Sequence, residues 1–178
     1  MELEGLGVEE AKRRVDGLID RSIPEVYDLL LDRLGDRTLV DKCPHLCATP
    51  HALRRLAEWY PEARFLWIVR NPGSVIRSVQ NMNMAEVILK DYADEPKEVW
   101  VMGNTAIQSF LQTIESSRWT RFHYEDMVRD PEPVMRSICE TIGVDFAPAM
   151  LEPYSGDRML TGPKGARAIG DPNLASRG

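Results

Sequence analysis

The feature that most constrains the fold is a run of five consecutive apolar residues, Phe65-Leu66-Trp67-Ile68-Val69, which ends at Arg70. A strand that is apolar at every position, and not at every second one, is typical of a parallel sheet covered on both faces. Segments with helical spacing lie on either side of this run. Because helices alternate with short apolar strands, the sequence predicts an α/β fold built on a parallel sheet.

Two further segments, 38–42 and 119–124, have the composition of short strands, and we expect them to join residues 64–70 in one parallel sheet. The carboxyl ends of parallel strands lie at one edge, so Lys42 and Arg70 should share that edge. The predicted helices cover about 8–20, 24–34, 50–60, 99–114 and 131–142, with another beginning near 72. We predict one domain, with a core of residues 1–152 and a segment rich in loops, 153–178.

The end of the central apolar run carries the residues best suited to binding an anion. Asn71 can cap the helix that follows, and Pro72 suits its first position. A helix N-terminus attracts anions, Arg70 presents a planar fork to phosphate oxygens, and Ser78 can add a hydroxyl donor. The alternative is that Arg70 forms a structural ion pair and that the serines lie on a polar helix face. From the residues alone, both interpretations stay open.

The distribution of charge restricts the possible partners. The net charge of −6 argues against a broad nucleic-acid surface, although residues 51–78 carry five arginines and only two glutamates. Such a local excess fits a small anion site. The sequence contains no run of 18 apolar residues, and its N-terminus is acidic, so we expect a soluble, cytoplasmic protein that does not bind membranes. Its three cysteines predict reduced thiols.

A cluster of possible zinc ligands, Cys43, His45, Cys47 and His51, follows the first predicted strand. The cluster lacks a Cys-x-x-Cys pair and is interrupted by prolines, so the sequence predicts small buried thiols with no metal. His45 lies three residues from Lys42 and is a candidate general base, with an ordinary loop histidine as the alternative.

Three motifs resemble those of sulfotransferases that take sulfonate from 3′-phosphoadenosine 5′-phosphosulfate (PAPS). Arg70 with Ser78 eight residues later is similar to the 3′-phosphate motif of that family. The stretch from Phe122 to Met127, followed by Asp130-Pro131, resembles its Tyr-Glu-Asp-(Leu/Met) segment, and Asp41-Lys42-Cys43-Pro44 resembles its Asp/Glu-Lys-Ser-Pro segment. Further pieces look like the sulfotransferase domains of cyanobacterial polyketide and olefin-forming synthases: residues 1–6, Trp100 with Asn104, 153–159 and 169–173.

The resemblance implies a nucleotide-kinase-like fold and transfer of a sulfonate to a hydroxyl, without a metal. Arg70 and Ser78 would hold the 3′-phosphate of PAPS, and Tyr124 would lie beside the adenosine. Lys42 would stand near the sulfonate, and Lys164 would belong to a loop that closes over the 3′-phosphate or the acceptor. The acceptor would be a small molecule or a β-hydroxyacyl chain on a carrier protein, as in polyketide biosynthesis. The oligomeric state stays open.

The sequence departs from the family pattern in one important respect. The family holds the 5′-phosphosulfate in a loop near Gly-x-Pro-Arg-(Ser/Thr)-Gly-(Ser/Thr), whereas the glycines before residue 40 lie in acidic, helical context. We therefore expect the family fold without its first strand and phosphate loop, as in a fragment with little or no activity. The alternatives are a non-catalytic remnant that binds a nucleotide or a partner protein, and a nucleoside kinase, which the missing Gly-x-x-x-x-Gly-Lys-(Ser/Thr) motif disfavours.

Overall fold

The structure is a computed structural model that describes residues 8–43, 46–47, 50–81 and 95–152. It divides into two compact units, which are described separately. The described part of the first unit is residues 8–41, and the described part of the second lies within 42–152. Within these ranges, no helix is long and apolar enough to cross a membrane.

The first unit contains two helices, α1 (Val8–Asp16) and α2 (Ile23–Leu34). Helix α1 is shorter than the predicted 8–20, because glycine at position 17 weakens the helix and the N–H of Leu18 bonds in a tighter turn to the carbonyl of Val15 at 2.9 Å. Helix α2 begins with a capping box, in which the backbone N–H of Ser22 donates to Glu25 Oε2 at 2.8 Å.

The predicted strand at 38–42 is wrong. Residues 38–43 are neither helix nor strand and make no strand pairing in the described part of the chain, and Val40 is 69% exposed. Only Leu39 and Val40 in the predicted strand are apolar, so it buries little surface, while the carboxylate of Asp41 accepts a hydrogen bond from the hydroxyl of Tyr27 on α2. A contact with the preceding helix thus replaces the expected strand ladder.

The second unit contains the parallel sheet, as predicted. Strands β1 (Phe65–Val69) and β2 (Trp119–His123) pair in parallel, with Phe65 opposite Trp119 and Val69 opposite His123. The helices of this unit are α3 (Pro50–Trp59), α4 (Pro72–Asn81), α5 (Pro96–Leu111), α6 (Tyr124–Arg129) and α7 (Pro131–Ile142), with 3₁₀ turns at Ser116–Arg118 and Pro148–Leu151. The short helix α6 was not expected, because the predicted strand was extended through Tyr124.

The core of the second unit lies on one face of β1. Trp67 is 9% exposed and packs with Leu53 of α3 and with Phe110 and Leu111 of α5. The ring of Phe65 meets that of Phe110 edge-on, with centroids 4.9 Å apart. Side chains two apart on a strand share a face, so the cover formed by α3 and α5 lies over the odd-numbered residues of β1.

The opposite face of β1 is less well covered than the apolar run predicts. Ile68 is 53% exposed, although its neighbour Trp67 is buried. Helix α7 packs against β2 and places Ile138 and Cys139 in the interior. The α/β architecture is therefore confirmed, but the expectation of full cover on both faces of β1 is wrong at Ile68.

The end of α7 follows the predicted pattern. Gly143 has a left-handed backbone with φ of 74°, and the N–H of Val144 bonds to the carbonyl of Cys139 at 3.0 Å. Glycine adopts this conformation without the steric cost that a Cβ atom adds. The helix therefore ends where the sequence predicted.

Candidate functional site

The candidate site lies where the two strands end. Because Val69 stands opposite His123, the residues that follow, Arg70 and Tyr124, emerge side by side. The guanidinium carbon of Arg70 lies 4.6 Å from the centroid of the Tyr124 ring. This distance fits a cation–π contact, which holds the arginine over the ring while its N–H groups remain available for a ligand.

Two hydrogen bonds fix the backbone beside this pair. The indole Nε1 of Trp100, on α5, donates to the carbonyl oxygen of Arg70 at 2.9 Å. The backbone N–H of Asn71 donates to Oε1 of Glu125, on α6, at 2.8 Å. The chain that leaves β1 is thus held by one side chain from each of two helices.

Asn71 also caps α4, as the sequence predicted. Its side-chain Oδ1 accepts the backbone N–H of Ser74 at 3.2 Å, and its carbonyl accepts the N–H of Val75 at 3.1 Å. A Cβ atom on Gly73 would lie 3.2 Å from the same Oδ1, which is tighter than an ordinary contact. Glycine at position 73 therefore leaves space for the cap, and Pro72 occupies the first position of the helix.

The charge of Glu125 is stabilised where it lies. The hydrogen bond from the Asn71 backbone lowers the pKa of Glu125, and its own backbone N–H and the charges of His123 and Arg70 act in the same direction. Within the described residues, no carboxylate lies in ion-pair distance of Arg70. Arg70 can therefore bind an incoming anion without first breaking an ion pair to one of these residues.

The structure brings together some of the predicted site residues. Arg70 and Tyr124 are in contact, and Tyr124 is 41% exposed. Ser78 is exposed on α4, one helical turn beyond Ser74. Lys42 is exposed in a segment that is neither helix nor strand, and no described hydrogen bond or ion pair joins it to the strand ends. His45 and Lys164 lie outside the described residues.

Sequence reasoning gave no role to Glu125 or His123, although both belong to the motif that contains Tyr124. Their position directly at the end of a predicted strand was the signal that could have identified them. Trp100 and Asn104 are also structural partners of the sheet: Oδ1 of Asn104 accepts the indole N–H of Trp67 at 3.1 Å, and Nδ2 donates to the carbonyl of Trp100 at 2.8 Å. The first of these bonds joins α5 to β1, and the second lies within α5.

The described His, Cys, Asp and Glu side chains form no candidate metal centre. Among residues 8–43, 46–47, 50–81 and 95–152, no group of three or more His, Cys, Asp or Glu side chains is placed to hold a metal ion. Cys43, Cys47 and Cys139 are thiols. Cys139 is buried and Cys47 is half-buried, but Cys43 is exposed, so the expectation of a buried thiol is wrong at Cys43.

Comparison with known proteins identifies the family. The sequence model of the sulfotransferase family matches residues 11–148. The chain belongs to the sulfotransferase family. The search of curated protein sequences gave no significant match. The resemblance inferred from Arg70, Ser78 and the Tyr124 segment is therefore confirmed at the level of the family.

Solved sulfotransferase structures agree with this assignment. The sulfotransferase domain from the curacin biosynthetic pathway is 32% identical with a TM-score of 0.87, over 99% of this chain and 64% of that one. The sulfotransferase domain from the Synechococcus PCC 7002 olefin synthase is 30% identical with a TM-score of 0.86, over 100% of this chain and 61% of that one. A sulfotransferase from Alicyclobacillus acidocaldarius, at 20% identity, covers 81% of this chain with a TM-score of 0.55 and shows the shared fold alone. The chain thus spans less than two thirds of each of the first two domains.

Proposed function

We propose that the strand-end site binds the 3′-phosphate of PAPS, and that the chain belongs to a catalyst that moves the sulfonate of PAPS to a hydroxyl acceptor. The observation that carries this proposal is Arg70, which stacks on Tyr124 beside the capped N-terminus of α4 and has no described carboxylate in ion-pair distance. A dianionic phosphate suits a planar guanidinium and a helix N-terminus together.

Each residue of the site has a role in this proposal. Arg70 donates two parallel N–H groups to the phosphate, and Ser78 adds a hydroxyl from α4. Tyr124 keeps the guanidinium in place and packs beside the adenosine. Glu125 fixes the backbone of Asn71, so the arginine and the helix N-terminus keep a constant separation. Preorganised donors of this kind cost no reorganisation when the ligand arrives.

The reaction itself is an in-line transfer. The acceptor oxygen attacks sulfur, the bond from sulfur to the phosphate oxygen breaks, and 3′-phosphoadenosine 5′-phosphate leaves. The acceptor hydroxyl gives its proton to a base, for which His45 is the proposed residue. Lys42 and Lys164 are proposed to offset negative charge on the sulfonate and the 3′-phosphate. Positioning and charge stabilisation supply the catalysis, as in phosphoryl transfer.

The proposed acceptor is a β-hydroxyacyl chain carried by a carrier protein. The support is the similarity to two sulfotransferase domains, one from the curacin biosynthetic pathway and one from an olefin synthase. Sulfation of the β-hydroxyl would convert a poor leaving group into a good one and so prepare the chain for elimination.

Calorimetry with 3′-phosphoadenosine 5′-phosphate tests the role of Arg70. We expect Arg70→Ala to weaken binding by roughly 1.5–3 kcal/mol, or about 10- to 150-fold, because a charge-assisted contact is lost. The control is Arg54→Ala, which removes an exposed arginine from α3 and should leave the affinity unchanged. Equal affinity of wild type and Arg70→Ala, or of this nucleotide and adenosine 5′-monophosphate, would refute the assignment.

A second candidate function is nucleotide binding without catalysis. It is favoured because the sequence before residue 40 contains no segment like the Gly-rich loop that holds the 5′-phosphosulfate in this family. We expect residues 1–178 alone to transfer little or no sulfonate, since loss of one preorganised donor already slows a reaction by ~10²–10³. A radiolabelled-sulfonate assay on a carrier-linked β-hydroxyacyl substrate decides this point. Robust turnover would mean that another element of the chain holds the 5′ end of the donor.

A further inference from the structure

A cavity of about 250 Å³ lies between α5 and the sheet, beside the strand ends. Its lining residues are Trp67, Val69, Trp100, Val101, Asn104, Thr105, Gln108, Arg121 and His123. The strand register explains this set. Trp67 stands opposite Arg121 and Val69 opposite His123, and paired residues of neighbouring strands point to the same face.

The charge inside this cavity is positive. Its lining contains an arginine and a histidine but no aspartate or glutamate. The guanidinium carbon of Arg121 lies 5.6 Å from the centroid of the Trp67 ring, which directs it toward this side of the sheet. In the described part of the chain, Arg121 makes no ion pair. Arg121 is exposed, so an arginine in this position can attract an anion from solvent while its guanidinium lies beside an aromatic surface.

The polar and apolar parts of the lining have different uses. Asn104 is already engaged, since its amide bonds to both Trp67 and Trp100. The indole of Trp67 is held by Asn104, and that of Trp100 by the carbonyl of Arg70, so both rings present fixed, flat apolar surfaces. His123 adds an imidazole to the lining. A neighbouring cavity of about 280 Å³ beside α7 shares Arg121 and His123 but includes Asp126, whose charge disfavours an anion there.

We propose that the cavity under α5 binds the anionic end of an aliphatic ligand, a carboxylate or a phosphate monoester, through Arg121. The chain of the ligand packs against Trp67 and Trp100, and an N–H of His123 is a second donor. This inference goes beyond the proposed function, because it rests on the lining of the cavity and requires neither Arg70 nor a nucleotide.

The test is a titration of residues 1–178 with hexanoate, hexyl phosphate and hexan-1-ol. Binding is monitored through the NMR signals of the indole N–H groups. We expect both anions to shift the signals of Trp67 and Trp100 and to leave those of Trp59 and Trp119 in place, since only the first pair lines the cavity. Whichever of hexanoate and hexyl phosphate binds more tightly shows whether the site prefers a carboxylate or a phosphate monoester. Unshifted Trp67 and Trp100 signals, or equal binding of hexan-1-ol, would overturn the proposal.

Variants of Arg121 separate this site from the strand-end site. We expect Arg121→Gln to weaken the tighter anion at least ten-fold, Arg121→Lys to retain most of the binding, and Arg54→Gln to change nothing. Thermal unfolding of each variant checks that the fold is kept. If Arg121→Gln binds as wild type does, or if binding is lost only in Arg70→Ala, the cavity is not the site. Loss of nucleotide binding in Arg70→Ala with hexanoate binding intact would support two separate sites.

Discussion

At the scale of single residues, Glu125 links the two strand ends. It is the second residue of α6, directly after Tyr124, accepts the backbone N–H of Asn71, and lies close enough to His123 and Arg70 to respond to their charges. Its carboxylate therefore does two things: it positions the backbone that leads into α4, and it balances part of the positive charge at the site. Removal of the charge alone separates these effects, because a glutamine still accepts the hydrogen bond.

We predict that Glu125→Gln lowers stability at neutral pH and that the difference from wild type disappears in acid. The folded-state pKa of Glu125 is lowered from its ordinary value of 4.5. The charged form therefore stabilises the fold above that value, and this contribution is lost as pH falls through the lowered pKa. Urea unfolding of both proteins, measured in steps from pH 7 into acid until their difference in stability no longer changes, follows this loss. Glu140→Gln, an exposed glutamate on α7, is the control; a pH-independent difference for Glu125→Gln would contradict the prediction.

At the scale of secondary-structure elements, Arg118 joins the beginnings of the two strands. Its guanidinium, directly before β2, donates to the carbonyl of Ala63 at 3.0 and 3.1 Å and to that of Tyr60 at 3.3 Å. It also lies 5.9 Å from the ring centroid of Phe65, the first residue of β1. The turn that leads into β1 is therefore attached to the start of β2, which supports the register of the pair.

We expect Arg118→Met to destabilise the protein by about 1.5–3 kcal/mol, because half-buried carbonyl groups lose a charged donor. Arg118→Lys should lose less, since an ammonium group can still reach one carbonyl. Denaturant unfolding measures both changes, with Arg129→Met as the matched control. Arg129 forms an exposed pair with Asp126, so its loss should cost no more than about 0.5 kcal/mol. Equal effects of the two methionine variants would show that the hydrogen bonds of Arg118 to Ala63 and Tyr60 do not stabilise the fold.

The sequence was sufficient to predict elements whose signals are local. Ser22 marked the start of α2, and Asn71 with Pro72 marked the start of α4. Gly143 marked the end of α7, and the long apolar run identified β1. The prediction of a strand at 38–42 was wrong because a run as short as Leu39-Val40 carries no information about whether a partner strand is present. The contact of Arg70 with Tyr124 could not be derived from sequence, since it depends on the register of two strands far apart in the chain. The roles of Lys42, His45, Ser78 and Lys164 stay predictions.

At the scale of the whole molecule, the interior of the second unit is unevenly distributed about the sheet. Leu111 is 3% exposed and lies in the cluster with Trp67, whereas Ile68, in the middle of β1, is 53% exposed. Two aliphatic residues that look alike in the sequence therefore differ in what they contribute. The free energy lost on truncation depends on the buried surface and on the cavity that remains.

We predict that Leu111→Ala costs about 2–5 kcal/mol and that Ile68→Ala costs about 1 kcal/mol or less. Urea midpoints of the two variants, measured with wild type under the same conditions, test the difference. Because both substitutions remove a similar number of carbon atoms, each serves as the control for the other. A cost for Ile68→Ala as large as that for Leu111→Ala would mean that the face of β1 carrying Ile68 is covered in solution.

Strands β1 and β2 end at paired residues, and this restricts how the sequence of such a chain can change during evolution. Because Val69 stands opposite His123, hydrogen bonds between neighbouring strands set the separation of Arg70 and Tyr124, and the length of chain between them does not. Insertions and deletions outside the strands can accumulate there without moving the two side chains apart. A slip of one residue within β2, by contrast, turns Arg121 to the opposite face of the sheet. The segments between the strands can therefore change in length during evolution, whereas the strands themselves cannot gain or lose a single residue without reversing the faces on which their side chains lie.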